Sequence, residues 1–453
     1  LLADAYLWQK KMRFWEKLSP EKRSAAAAVA VIGVLASLPL FTNYLLNGAD
    51  LSFHLMRIEG IAEGLRQGSF PVKMQPLWVN DYGYPVSVMY GDTLLYIPAI
   101  LTLCGFTVQT AYKLYLFGIN LLTAAVSYQC AKTISKSTKI GMIVSLVYTL
   151  SGYRLTNAIY RAAIGEITAM AFLPLVFLGL WQIFGQEDER DDRKQRRGAG
   201  LLIIGYTGIL QSHLLSFEMA ILCSVLYCLL QGRRLLKRFL FLTKTALVTI
   251  GVNLFYLVPF LDYMMTQDMH VFYAKNVHMQ DTGLFLPQLM QMFTYGVRGS
   301  NSGIMAPVSY GISDELVIGI GFPAAVFILL YVWESVVYKR KLLDAYGVGE
   351  ALRTKQFFWM ALVSLWMSTY LFPWSIPEQF PKLSPILAPY QFPMRFTAMA
   401  LTFVIFLGAY AMKNLRILVD GTTAKIMIAC LCLLAVCHFL FYSGMLFAVQ
   451  QPI

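Results

Sequence analysis

The stretch TLLYIPAILTLCGF, Thr93 to Phe106, decides how the rest of the chain is threaded. Crossing the hydrocarbon core of a bilayer takes roughly 20 helical residues, and about 17 at the least. This run has 14, with Pro98 inside it. A proline in a helix interior removes one backbone donor and clashes with the preceding turn. The run therefore reads as a re-entrant or half-depth segment rather than a crossing, a shape tolerated where protein or a cavity covers the backbone.

Outward from this stretch, apolar runs of spanning character fall at about 24–46, 110–131, 140–153, 166–185, 199–213, 214–231, 239–262, 315–335, 356–373, 396–412 and 424–443. The expected fold is all-α, a polytopic integral membrane protein with about 11 transmembrane helices. Basic residues accumulate in cytoplasmic loops, which tests the threading. With 93–106 as a dip, 27 of the 37 Lys and Arg fall on the N-terminal side of the membrane; with it as a crossing, only 13 do. The dip places the N-terminus in the cytoplasm and the C-terminus outside. The first span is long and lacks a small-residue cleavage motif, so no cleaved signal peptide is expected. The chain divides into a cytoplasmic segment 1–23, a transmembrane module 24–262 with an outer loop 47–92, an outer loop 263–313 and a C-terminal transmembrane module 314–453.

Composition agrees. Of 453 residues 57% are hydrophobic and 14% charged, against roughly 25% charged in soluble domains. The net charge of +12 comes from short clusters between apolar runs. It reflects orientation in a lipid bilayer rather than nucleic-acid binding, so no nucleic-acid partner is expected. The seven cysteines lie inside apolar stretches and read as packing residues. GxGxxG, Walker, HExxH, CxxC and GxSxG patterns are all absent. His54, His213, His270 and His278 are dispersed, so a metal site would need the fold to gather them, and no metal ligand is assigned.

On the outer side the charges are sparse and lie beside aromatics and prolines. In NGADLSFHLMRIEGIAEGLRQGSFP (47–71), Leu51, Leu55, Ile58, Ile61 and Leu65 form an apolar stripe at helical spacing, and Asp50, His54 and Arg57 recur on a neighbouring face. An amphipathic helix on the membrane surface accounts for the stripe. It does not account for a carboxylate, an imidazole and a guanidinium aligned at membrane depth, where polar groups are costly unless used. In QPLWVNDYGYPVSVMYGDTLLYIP (75–98), Trp78, Tyr82, Tyr84, Tyr90 and Tyr96 alternate with Asp81 and Asp92. An interfacial aromatic belt and a sugar-binding cleft both fit that pattern.

SGYRLTNAIYRAAIGE (151–166) clusters Arg154, Arg161 and Glu166. The arginine fork suits phosphate oxygens, while snorkelling to the interface is the plainer reading. QSHLLSFE (211–218) sets His213 at an outer turn and Glu218 in the next span. The loop 263–313 carries Arg298 among acids, histidines and glycines. LSPILAPYQFPMRF (383–396) joins three prolines to Tyr390, Gln391 and Arg395.

As a set, ADLSFHLMRI (49–58), GYPVSVMY (83–90), SHLLS (212–216) and QFPMRF (391–396) resemble the bacterial membrane proteins of the 6-pyruvoyl-tetrahydropterin synthase-related family. The order of elements, with Asp50 directly after the first span and Tyr160–Arg161…Glu166 at the end of a later one, is similar to the GT-C superfamily of membrane glycosyltransferases. The likeness covers about 25–412. It implies a polyprenyl-phosphate sugar donor, an acceptor that is a cell-envelope glycan or protein, and transfer on the outer face of a bacterial plasma membrane.

By the same resemblance Asp50 is the catalytic general base, and Glu166 matches a second acidic position that orients the acceptor or holds a cation. Arg161 and Arg395, with Arg154 and Arg298 behind them, face the leaving phosphate. His54, Arg57, Tyr90, Asp92, His213 and Gln391 complete the expected substrate-binding set. The Asp-x-Asp metal pattern is missing, since Leu51 and Ser52 follow Asp50, which leaves a divalent cation possible and no cofactor certain. The alternative, a transporter or flippase of a lipid-linked glycan, predicts ionisable residues near mid-bilayer in matching halves. Here they crowd one face.

Overall fold

The computed structural model describes residues 19–185, 192–268, 278–291, 317–380, 390, 392–449 and 452. These are helical almost throughout; no strand forms among them beyond three isolated bridges. The main helices are α1 (Pro20–Ala36), α2 (Leu51–Arg66), α3 (Tyr96–Leu103), α4 (Val108–Ser135), α5 (Thr138–Thr149), α6 (Ile164–Phe184), α7 (Asp192–Leu210), α8 (Leu214–Leu229), α9 (Arg233–Val252), α10 (Leu254–Thr266), α11 (Phe322–Val337), α12 (Lys339–Ser368), α13 (Phe396–Leu418) and α14 (Gly421–Val449).

The core follows from two helices whose middle turns have no polar face, α6 and α13, both buried over nearly their whole length. A helix without a polar face has no stable position on a surface. They meet at Phe177 and Phe403, whose ring centroids lie 4.4 Å apart. α4, α5, α7, α11 and α12 pack around them. Polar stitches fix the register: the Tyr148 hydroxyl donates to the Met170 carbonyl at 2.7 Å, and Asn120 donates to the Ser37 hydroxyl at 3.0 Å.

Among the described residues four helices (Val108–Ser135, Ile164–Phe184, Pro393–Leu418 and Gly421–Ala448) are long and apolar enough to cross a membrane, or up to six segments if each of two bent pairs is one span. Several expected spans are interrupted, for local reasons. The first ends at Ala36 rather than near 46, because Ser37 turns back onto the Gly33 carbonyl (2.8 Å) and Pro39 cannot supply the next donor. The run 239–262 breaks at Asn253, and α9 and α10 meet at 80°. The Asn253 amide donates to the Thr249 carbonyl (2.8 Å) and to Thr207 (2.9 Å), and its oxygen accepts from Gln211 (3.0 Å). α3 is about 12 Å long at 1.5 Å per residue, too short to cross; it packs on α2 and α4.

Candidate functional site

Asp50 sits where α2 begins. Ala49 and Asp50 are stitched to the turn that leads into α6: the Ala49 N–H donates to the Tyr160 carbonyl (2.9 Å) and the Asp50 N–H to the Arg161 carbonyl (2.8 Å). Gly48 permits this approach, since a Cβ there would lie 2.5 Å from the Ala162 Cβ. An aspartate at this position ordinarily accepts a hydrogen bond from the first turn of its helix. Here it makes no capping bond and its side chain is exposed. Partial burial raises its pKa above the ordinary 3.8, while Arg161 and Arg395 pull it down.

Its carboxylate opens into a cavity of about 550 Å³ that also receives His54, Tyr90, Arg161, His213, Glu218 and Arg395. Phe53, Leu214, Leu215, Phe260 and Met264 supply apolar wall. The two arginines are held from behind by Glu166, which is fully buried. Glu166 accepts from Arg161 (2.7 Å), from the Tyr153 hydroxyl (2.5 Å) and from Asn157 (3.3 Å), and lies 3.9 Å from the Arg395 Nε. Arg161 engages Glu166 and Asn157 through the same terminal nitrogen, and Arg395 also donates to the Tyr390 carbonyl at 3.0 Å.

Both histidines are fixed in one tautomer. The Ser216 backbone N–H donates to His213 Nδ1 (3.2 Å), and the Arg57 guanidinium, which can only donate, lies 3.4 Å from His54 Nδ1. The proton of each neutral ring is therefore on Nε2. Burial, reinforced by neighbouring guanidinium groups, keeps the rings neutral: His213 is lowered to about 3, against the pull of Glu166, and His54 falls well below its ordinary 6.5. Tyr90 lies between them, each ring pair 6.1 Å apart, and its hydroxyl rests where any Cβ at Gly165 would stand.

The remaining predicted residues separate by place. Arg57 is buried beneath the cavity, its guanidinium 4.0 Å over the Tyr90 ring and donating to the Gly91 carbonyl at 3.0 Å; it holds the aromatic loop. Asp92 is buried beside that loop, its pKa raised by burial, and does not line the cavity. Arg154 points into the core, donating to Asn120 (3.2 Å) and the Ile167 carbonyl (3.3 Å). Arg298 and Gln391 lie outside the described residues.

Arg154 and Arg161 are seven residues apart and would share a face of one α-helix, but a π-helical turn, Thr156–Tyr160, intervenes. The Arg161 N–H reaches back to the Thr156 carbonyl (2.9 Å), and the added residue per turn rotates Arg161 out to the cavity. The sequence reading did not single out Tyr153 or Asn157, nor Phe260 and Met264, which face the cavity only because α10 turns away from α9. Among the described residues no group of three or more His, Cys, Asp or Glu is placed to hold a metal ion. Glu166 is occupied by its three donors, and two guanidinium groups flank Asp50, so this donor set suits an anion better than a divalent cation.

A family model described as a 6-pyruvoyl-tetrahydropterin synthase related domain of a membrane protein matches residues 93–444. An uncharacterized protein of Lactococcus lactis subsp. cremoris is 22% identical over 248 residues, which are 52% of this chain and 39% of the relative. Among solved structures, ArnT from Cupriavidus metallidurans in the apo state is similar with a TM-score of 0.52 and 14% identity, over 95% of this chain and 76% of that one. The same protein bound to undecaprenyl phosphate gives 0.50 and 13%, over 93% and 75%. The Archaeoglobus fulgidus oligosaccharyltransferase AglB, in complex with an inhibitory peptide and a dolichol-phosphate, gives 0.52 and 12%, over 94% of this chain and 56% of that one. This chain thus spans about half the length of the archaeal enzyme. The chain shares its fold with these structures.

Proposed function

The chain belongs to the 6-pyruvoyl-tetrahydropterin synthase-related family of membrane proteins, and from that premise and the Asp50 cavity we propose that it is a glycosyltransferase using a polyprenyl-phosphate sugar. Its acceptor is a cell-envelope glycan or protein, and the reaction takes place on the outer face of a bacterial plasma membrane. Polyprenyl phosphates are bound by proteins of this fold. The placement of basic clusters on the side opposite Asp50 supports the outer face.

The observation that carries the reading is an uncapped carboxylate facing the same cavity as two guanidinium groups. Asp50 takes the proton of the acceptor hydroxyl as that oxygen attacks the anomeric carbon from the face opposite the lipid phosphate. The bond from the anomeric carbon to the phosphate oxygen breaks, and its electron pair leaves on the phosphate. Arg161 and Arg395 offset that developing charge in a site whose apolar wall limits competition from water. Glu166 acts behind them: it offsets two buried cations and fixes their spacing, so it positions rather than reacts. The Nε2–H groups of His54 and His213 are neutral donors toward sugar hydroxyls or phosphate oxygens, and the Phe53 and Tyr90 faces suit sugar C–H surfaces. The test is incubation of the purified chain in lipid with a panel of polyprenyl-phosphate sugars and acceptors. The reading expects an acceptor-linked sugar and free polyprenyl phosphate in equal amounts. Movement of intact lipid-linked sugar across vesicles without either product would favour a flippase instead.

A further inference from the structure

A second large cavity, of about 400 Å³, lies among α11, α12 and the far end of α13. α13 starts beside Arg395, and Asn414, which lines this second cavity, is 19 residues on; at 1.5 Å per residue that is roughly 28 Å, about the thickness of a hydrocarbon core. The two cavities therefore stand at opposite ends of α13, about one hydrocarbon thickness apart. The chain builds the second one by turning 103° between α11 and α12 and breaking the helical backbone again at Gly347, whose φ is 75°. The short arm between these bends presents Lys339, Leu342, Leu343 and Tyr346 to the cavity, one helical face at spacings of three and four.

Tyr331, Phe358 and Trp359 form its walls. The wall continues onto the outside of the bundle, where Val332, Val336 and Trp359 are 41%, 76% and 49% exposed. Its charges do not balance. Glu350 is paired with Lys413 at 2.5 Å, and Glu334 is fully buried behind Asn414, whose amide donates to it at 3.0 Å. Lys339 and Lys355, both exposed at the mouth, have no acidic partner among the described residues. Two unmatched ammonium groups over an aromatic cavity open to the membrane fit one chemistry, an amphiphile with an anionic head and a hydrocarbon tail. Basic pockets between helices at the cytoplasmic face recognise lipids in this way.

We propose that this cavity binds an anionic glycerophospholipid of the leaflet opposite the Asp50 cavity, its phosphate between Lys339 and Lys355 and an acyl chain against Phe358 and Trp359. The site is separate from the donor site and does not depend on the reaction assigned there. The test is native mass spectrometry of the delipidated full chain with phosphatidylglycerol, with phosphatidylcholine of the same chains, and with glycerol phosphate as a tail-less probe. Phosphatidylglycerol should be retained about tenfold better than phosphatidylcholine, a difference of about 1.4 kcal/mol. Lys339→Gln/Lys355→Gln should abolish the preference. Arg233→Gln/Lys425→Gln, which removes two basic charges elsewhere, should leave it unchanged and serves as the folding and charge control. The proposal is overturned if the Lys339/Lys355 variant keeps the preference, if the control variant loses it equally, if glycerol phosphate competes as well as the lipid, or if the mouth instead holds a second copy of the chain, seen as a dimer that the double variant dissociates.

Discussion

Asp50 and Glu166 are two carboxylates on either side of Arg161, and the protein treats them oppositely. Asp50 stands at a helix N-terminus and yet makes no capping bond. Glu166 stands in the first turn of α6 and accepts from Tyr153, Asn157 and Arg161 at once. One acid is left free beside a cavity and the other is saturated behind it. A carboxylate that is to receive a proton must keep a lone pair open, whereas one that is to hold cations in place gains from every donor it acquires. The proposed division into a reacting Asp50 and a positioning Glu166 rests on this difference.

The largest expected effect is on Asp50. Replacing a general base typically costs about 10²–10⁴-fold in rate, so Asp50→Asn should lose turnover to that extent while thermal unfolding and donor binding stay close to wild type. Glu166→Gln should do the reverse. Removing one partner of a buried ion pair costs about 3–5 kcal/mol, so the melting temperature should fall and donor binding should weaken, because Arg161 and Arg395 then repel each other without an anion between them. If instead Asp50→Asn melts early and Glu166→Gln is thermally unchanged, the assignment of the two roles is reversed.

A finer division comes from pH. Asp50 has a pKa raised above its ordinary 3.8 and, as the proposed base, must be ionised, so kcat/KM should rise with pH through an acid limb displaced upward from that value. Because the arginines pull that pKa down, Arg395→Gln should move the limb further up. His213 works in the other direction. Its folded value is lowered to about 3 from an ordinary 6.5; the unfolded chain binds the extra proton between those values, so stability holds above about 6.5 and declines as pH falls toward 3. His213→Gln, measured by denaturant unfolding across that window, should flatten the decline.

Two smaller effects complete the series. His213→Asn keeps an acceptor for the Ser216 N–H, whereas His213→Ala removes the α8 cap at a cost of about 0.5–2 kcal/mol; both lose the Nε2–H donor and should weaken donor or acceptor binding alike. Arg154→Met, in the core and away from the cavity, should alter the melting temperature and leave donor affinity within about twofold, as expected for sites that share no partners.

These assignments differ in how far they could be read from residue order. The α2 face was legible, because Asp50, His54 and Arg57 recur at helical spacing, and Arg161 and Arg395, which the resemblance paired, do line one cavity. The depth of each group was not. His54 and Arg57 lie on the polar face of the stripe and yet are buried, since the 75–98 loop folds over them through Tyr90. Arg154 and Arg161 look equivalent in sequence, and only the π turn at Thr156–Tyr160 sends one inward and the other to the cavity. The break at Asn253 was hidden by an apolar run that continues through it, because the cause is a set of hydrogen bonds to Thr207 and Gln211, more than forty positions earlier. Periodicity reports faces; it does not report which long-range bonds end a helix.

The central claim is that Asp50 is an open base and takes no part in holding the donor. It is tested most directly by single-turnover transfer from a pre-bound polyprenyl-phosphate sugar to acceptor, comparing wild type with Asp50→Asn under conditions where both are shown to hold equal donor. The account predicts equal loading, a rate lower by about 10²–10⁴-fold in the variant, and no change when donor concentration is raised. A variant that transfers the bound sugar at the wild-type rate, or whose deficit disappears at higher donor concentration, would contradict it.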